Sequence, residues 1–173
     1  MRDIMLRAAG ADDGPAIAAV QQTAWRATYG DLNPAMVDGL DPARTADNWA
    51  RAAADPARRL RLAERDAKVV GYALSGPAES EPPGVGELDA VYLLPAAHGL
   101  GAGRLLVEDA LTSLAGLGCD ECVAWVVAAN TRARGFYEHV GFRPDGGRGI
   151  WRGLNTVRYR ASTTGARTKR VSA

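Results

Sequence analysis

Pro95-Ala96-Ala97-His98-Gly99-Leu100-Gly101-Ala102-Gly103-Arg104 decides how this chain is read. It follows the best strand in the sequence, Glu87-Leu88-Asp89-Ala90-Val91-Tyr92-Leu93-Leu94, which Pro95 stops. It precedes an amphipathic helix traced by Leu105, Leu106, Ala110, Leu111, Leu114 and Leu117 and ended by Gly118. Three alternate glycines let the backbone turn tightly and approach a ligand without Cβ interference. The free amides at the start of the following helix, with its partial positive charge, favour an anion such as a pyrophosphate. Two established phosphate motifs are excluded. No Gly-Lys-Ser/Thr closes the loop, and the spacing is G-x-G-x-G rather than G-x-G-x-x-G. The plain alternative is a flexible strand-to-helix turn, although turns seldom need three alternating glycines.

Downstream, Cys122-Val123-Ala124-Trp125-Val126-Val127 reads as an apolar strand of the kind buried on both faces. A helix follows from Asn130 to Val140 and ends at Gly141. Asn130, Ala133 and Tyr137 fall at i, i+3 and i+7 on one face, and Phe136 and Val140 on another, expected to be the core side. Asn130 lies just beyond the carboxyl end of the apolar strand, where open α/β sheets bind ligands. A tyrosine on that face can donate or accept a proton. Phe142-Arg143-Pro144 begins a terminal strand pair, with Gly146-Gly147 as its turn and Ile150 to Tyr159 as the return strand. After Arg160 the chain becomes Ser/Thr/Lys/Arg-rich, so residues 161–173 read as a flexible basic tail and 1–160 as one domain. Arg167, Lys169 and Arg170 in that tail read as solvated charges.

Upstream, Ile4 to Arg7 is a short strand, and Asp12-Asp13-Gly14-Pro15 supplies an N-cap and a first-turn proline for a helix to Ala27. Asn33-Pro34 and Asp41-Pro42 each open a further helix; the second carries Trp49 and stops at Asp55-Pro56. Leu60 to Glu64 and Val69 to Leu74 pair around Arg65-Asp66-Ala67-Lys68, and Gly76 to Gly86 is a loop.

The 173 residues, 47% hydrophobic and 24% charged, suffice for one well-cored domain. No apolar run approaches the ~18 residues that cross a bilayer, and Met1 to Arg7 has no signal-peptide core. Two cysteines build no disulfide scaffold, so a cytoplasmic home is expected. A net charge of +1 gives no reason to expect nucleic acid or membrane as partner. Cys119-Asp120-Glu121-Cys122 with His98 and His139 lacks the spacing of a zinc site, and no metal is expected.

Together these segments resemble the GNAT superfamily of acetyl-coenzyme A-dependent N-acetyltransferases, from about Ile4 to Arg160 and most specifically over Leu88 to Phe142. The superfamily's cofactor motif, Q/R-x-x-G-x-G/A, reads His98-Gly99-Leu100-Gly101-Ala102-Gly103 here, with both required glycines present and His98 in place of Gln/Arg. Leu100 stands where relatives often carry a basic residue. The second motif, N-x-x-A-x-x-F/L-Y-x-x-x-G-F, is matched by Asn130, Ala133, Phe136, Tyr137, Gly141 and Phe142. Trp25-Arg26-Ala27-Thr28-Tyr29 also looks like the first helices of bacterial members.

The resemblance implies an α/β fold: a mixed, mostly antiparallel sheet with helices on both faces, its strands splaying between Glu87–Leu94 and Cys122–Val127 to admit acetyl-coenzyme A. It implies direct attack of a neutral amine on the thioester, with Tyr137 as proton donor to the leaving thiolate and Asn130 and Ala133 beside the cofactor arm. Amides of Gly99 to Arg104 would hold the pyrophosphate, and backbone groups of Val91, Tyr92 and Leu93 would pair with the pantetheine. Glu87 matches the base position of the histone-acetylating branch, and Asp89 faces the same side, so either could act through one water, the alternative being that both simply mark the exposed start of the strand. Another branch places its base where this chain has Trp125, which excludes that mechanism. Trp25, Tyr29 and Trp49, with Glu87, would line the acceptor site, the alternative for the aromatics being anchors that pack the opening helices on the sheet. A small-molecule amine is the first acceptor class, and a peptide amino terminus or protein lysine the second. A non-catalytic acyl-coenzyme A sensor is the alternative that His98 and Leu100 favour. Family members often pair as dimers.

Overall fold

In a computed structural model describing residues 3–165, seven strands and five helices follow one another. Strand β1 (Met5–Ala8) leads through a 3-10 turn to α1 (Gly14–Tyr29), α2 (Pro34–Asp38) and α3 (Pro42–Ala54). The antiparallel strands β2 (Arg59–Arg65) and β3 (Lys68–Pro77) precede β4 (Val85–Leu93), and α4 (Ala102–Gly116) leads to β5 (Glu121–Val127). Helix α5 (Thr131–His139) and the hairpin of β6 (Arg143–Trp151) and β7 (Leu154–Ser162) close the fold. The sheet order is β1-β2-β3-β4-β5-β7-β6, an open, mostly antiparallel sheet flanked by helices. Its parallel step is the register of Val85, Gly86 and Glu87 on Glu121, Cys122 and Val123. No helix among the described residues is long and apolar enough to cross a membrane.

Local chemistry explains most boundaries. Asn33 accepts from the Met36 amide at 3.1 Å and Asp41 from the Arg44 amide at 2.7 Å, so each Asx-Pro pair caps a helix as expected. Asp13 does not cap α1. Its carboxylate instead takes two bonds of 2.8 Å from Arg7, which also reaches Glu64 on the neighbouring strand. The β2–β3 turn is Asp66-Ala67, both at positive φ (53° and 59°), the twist that suits a two-residue hairpin.

Several sequence expectations are corrected. Strand β3 runs to Pro77 and β4 begins at Val85, so the loop is Ala78 to Gly84 rather than Gly76 to Gly86. Gly146-Gly147 is not the turn of the last hairpin. Arg152-Gly153 turns the chain, with φ of 48° and 78°, while Gly146 and Gly147 lie within β6 at a bulge. Strand β7 continues to Ser162, two residues past the expected domain end at Arg160. The Thr163 hydroxyl donates to the Cys119 carbonyl at 2.6 Å. Arg167, Lys169 and Arg170 lie outside the described residues.

The chain divides into two compact units, one of residues up to Leu74 with Ala90–Leu106, the other of Ser75–Asp89 with Val107 onward. The first is cored by Ile17, Val20, Leu60, Leu62 and Tyr72. The second buries Leu88, Leu114, Val123, Phe142 and Tyr159. On α4, Leu106, Leu111 and Leu114 are buried as the pattern implies, whereas Leu105 and Leu117 are exposed. Trp125 departs from the doubly buried strand expected at β5: it is 39% exposed, its ring 5.5 Å from the Arg158 guanidinium.

Candidate active site

In the first unit, β4 passes through the half-buried residues Val91, Tyr92 and Leu93. The Leu94 amide still donates to Val70 at 2.8 Å, and Pro95–Ala97 forms one 3-10 turn. Gly99 and Gly101 then take φ of 78° and 83° with open space where a Cβ would stand. Their requirement for glycine is therefore conformational rather than steric. Ala102 and Gly103 are buried and anchor the first turn of α4, while Gly99, Leu100, Gly101 and Arg104 are exposed and His98 is half-buried. The first amides of a helix have no intrahelical acceptor. The loop thus presents donors and a positive helix end through backbone alone, which suits a diphosphate.

The same unit gathers aromatic rings. The hydroxyls of Tyr29 and Tyr92 are 3.1 Å apart, and the ring centroids of Trp25 and Tyr72 lie 6.0 and 5.8 Å from that of Tyr92. Trp49 packs at 4.8 Å on Tyr72, and its indole N–H donates to Gln21 at 2.6 Å. The Tyr72 hydroxyl is buried with no hydrogen-bond partner, and burial pushes its pKa well above the ordinary tyrosine value. Trp25 and Tyr29, expected to line the acceptor site, are instead buried at 5% and 4% exposure and pack the core of this unit, where Tyr72, Gln21 and the side chain of Tyr92, which no sequence signal singles out, join them. Only the pairing of β3 with β4 brings these together with α1.

In the second unit, strand alternation puts half-buried Glu87 and exposed Asp89 on the face opposite buried Leu88. Cys122, paired with Gly86, is fully buried; burial, then Glu87 and Asp89, push its thiol up to about 12. The thiol of buried Cys119 is raised too, by burial and by Asp120. Neither cysteine supplies a thiolate near neutral pH.

Asn130 caps α5, its side-chain oxygen accepting from the Ala133 amide at 3.1 Å. Tyr137 is 8% exposed, against Phe142 at 5.4 Å and Tyr159 at 6.1 Å. Phe136 and Val140, expected on the core side, are only half-buried. The chain reverses at Gly141 (φ 103°) and brings Phe142 back under Tyr137, so the tyrosine takes the inner face. Tyr159 donates to Glu138 at 2.9 Å and accepts from Arg134 at 3.2 Å, tying α5 to β7.

The sequence pattern of the acetyltransferase (GNAT) family matches residues 18–142. A protein of Mycobacterium tuberculosis named as a probable N-acetyltransferase is 27% identical over 158 residues, 90% of this chain and 88% of that one. The mycothiol acetyltransferase of Mycobacteroides abscessus is 38% identical over 106 residues, covering 60% of this chain and 35% of its own length. The crystal structure of the PaiA N-acetyltransferase from Thermoplasma acidophilum, in complex with coenzyme A, superposes with a TM-score of 0.78 at 16% identity. That superposition covers 92% of this chain and 99% of the other.

Proposed function

Because the chain belongs to the GNAT family of acetyltransferases and is an acetyl-coenzyme A-dependent N-acetyltransferase, we propose that it acetylates the primary amine of a small molecule by direct attack in a ternary complex. The observation that carries the direct route is the state of the two cysteines. Both are buried with raised thiol pKa values, so the chain offers no thiolate to carry the acetyl group as a covalent intermediate. Trp25, Tyr29 and Tyr72 are buried and pack the core, so within this aromatic group only half-buried Tyr92 offers a ring face to a compact ammonium, which supports a small acceptor. One relative is itself named for a small molecule, mycothiol.

The reaction divides among the residues as follows. An alkylammonium of pKa ~10.4 must lose a proton before its nitrogen can attack the thioester carbon. Glu87 takes that proton, with Asp89 on the same strand face as the alternative acceptor, directly or through one water. The new C–N bond forms as the C–S bond breaks, and the departing sulfur, whose thiol has a pKa of ~8.5, receives the Tyr137 phenolic proton. The acylated nitrogen then loses its second proton as the amide forms, and that proton, passed through solvent, restores the Tyr137 phenol. The amides of Gly99 to Arg104 hold the diphosphate, backbone groups of Val91 to Leu93 pair with the pantetheine arm, and Asn130 and Ala133 lie along it.

The test is acetyl transfer from acetyl-coenzyme A to a panel of small amines and amino-terminal peptides, followed by release of coenzyme A and by mass of the acetylated product. Transfer to small amines with kcat/KM at least tenfold above that for peptides is expected. Glu87→Gln should move the rate to higher pH, where free amine accumulates without a base. Tight cofactor binding with no release for any acceptor would leave the sensor reading instead.

A further inference from the structure

We propose that the cleft between α5 and the bulge of β6, in the second unit, is a binding site for an oxyanion, a phosphoryl or carboxylate group, held by Arg134, Arg148 and Arg158. The inference does not rest on the acetyl-transfer reading, since it uses none of the Pro95–Arg104 loop, Glu87, Asp89 or Tyr137. The cleft has a volume of about 140 Å³, and its walls include the three arginines, Gly146, Gly147 and Val157. At ~30 Å³ per liquid water, that is room for about five waters, or for one oxyanion with part of its hydration shell.

Charge points the same way. Residues 130–162 carry seven arginines against Glu138 and Asp145, net +5, in a chain whose total is +1. Arg158 is already committed. It pairs with Glu81, donates to Asp145 at 2.8 Å, and lies over the Trp125 ring. Arg160 completes that network through Glu81, Asp145 and Glu121. Arg134 spends its Nε on the Tyr159 hydroxyl and an Nη on the Ala128 carbonyl, both neutral groups, while Glu138 is engaged by Tyr159. Arg148 is exposed, and its guanidinium makes no hydrogen bond or ion pair among the described residues. Two guanidiniums bonded to no carboxylate therefore line one small cleft beside a third that is rigidly held. Mutual repulsion disfavours this arrangement until an anion enters, and the planar forks suit its oxygens.

The backbone is built to leave this space. Pro144 pairs with Tyr159 and Arg148 with Val157, so Asp145, Gly146 and Gly147 together oppose Arg158 alone. Gly146 sits at φ 89°, and a Cβ on Gly147 would lie 2.8 Å from both Cβ and Nε of Arg158. A side chain at 147 would displace the arginine that forms the cleft's floor.

The test titrates the full chain with inorganic phosphate at constant ionic strength, without and with saturating coenzyme A to occupy the glycine loop, by calorimetry and thermal melting. Saturable binding that persists in the presence of coenzyme A is expected, with Kd raised at least tenfold in Arg148→Glu and less in Arg148→Gln. Both variants should melt like the parent without phosphate. A second arm compares amine acceptors with and without an acidic group. A KM increase in Arg148→Glu confined to acidic acceptors identifies the anion as part of the substrate. Unchanged KM values with lost phosphate binding identify it as a free ion. Phosphate binding no tighter than chloride, or a Kd unchanged in Arg148→Glu, would overturn the proposal whether or not the chain acetylates any amine.

Discussion

Between Pro95 and Arg104 the distinctive feature is the backbone, to which the proposed function gives the diphosphate. Gly99 and Gly101 turn the chain at positive φ, and the exposed Leu100 lies between them. Between Thr131 and His139 the backbone is an ordinary capped helix, and the distinctive features are the Asn130 cap and the largely buried Tyr137 ring. The contrast teaches where each region is vulnerable. The loop should tolerate exchange of side chains and resist any residue that refuses a left-handed backbone, whereas the helix should tolerate exchange of backbone-neutral positions and resist loss of one hydroxyl.

The largest effect tests the helix. Tyr137→Phe keeps the packing on Phe142 and Tyr159 and removes the proposed proton donor, so kcat should fall by about 100-fold while acetyl-coenzyme A affinity stays the same. Equal turnover would break the contrast, because the helix would then carry no side-chain chemistry. Next comes Gly101→Val, which forces a β-branched residue to φ 83°. A destabilisation of about 1–2 kcal/mol and a roughly tenfold weaker Kd for coenzyme A are expected, with kcat at saturation retained. Melting and calorimetry read the two parts separately. Leu100→Lys should tighten coenzyme binding by about two- to fivefold at low salt, from about 0.3–1 kcal/mol of attraction at a helix start, and the gain should fade as salt rises. No gain would mean that the anion lies away from Leu100.

The smallest effect belongs to neither region and serves as a control. Hydrogen bonds from Arg7 hold the Asp13 carboxyl below its ordinary 3.8. A carboxyl lowered on folding stabilises the protein above its unfolded pKa and loses that contribution as pH falls through the folded value. Asp13→Asn should therefore flatten the acid limb of stability below about pH 4, by less than ~1 kcal/mol because Arg7 is 42% exposed. An acid limb identical to the parent's would show that the pair contributes nothing.

Legibility in the sequence followed the range of the interaction. The Asx-Pro helix starts, the strand before Pro95 and the glycine loop are decided by residues within four positions of each other, and each stands where the pattern put it. Gly146-Gly147 was ambiguous because two glycines serve a turn and a bulge equally well. The choice was made by β7, whose pairing with Arg148 and Pro144 no local signal reports. The inward turn of Tyr137 depends on Tyr159, 22 residues on, and the exposure of Trp125 on its stacking with Arg158. Glu81 meets its arginines across 77 and 79 positions, so that network has no trace in spacing.

The burial of Cys119 and Cys122 also bears on how turnover can be watched. A disulfide dye added to the folded protein should react slowly if at all, so colour developing in an assay with acetyl-coenzyme A comes from the leaving group alone. Denaturant should then uncover two reactive sulfurs per chain, and the lag before they appear would clock the opening of the β4–β5 core.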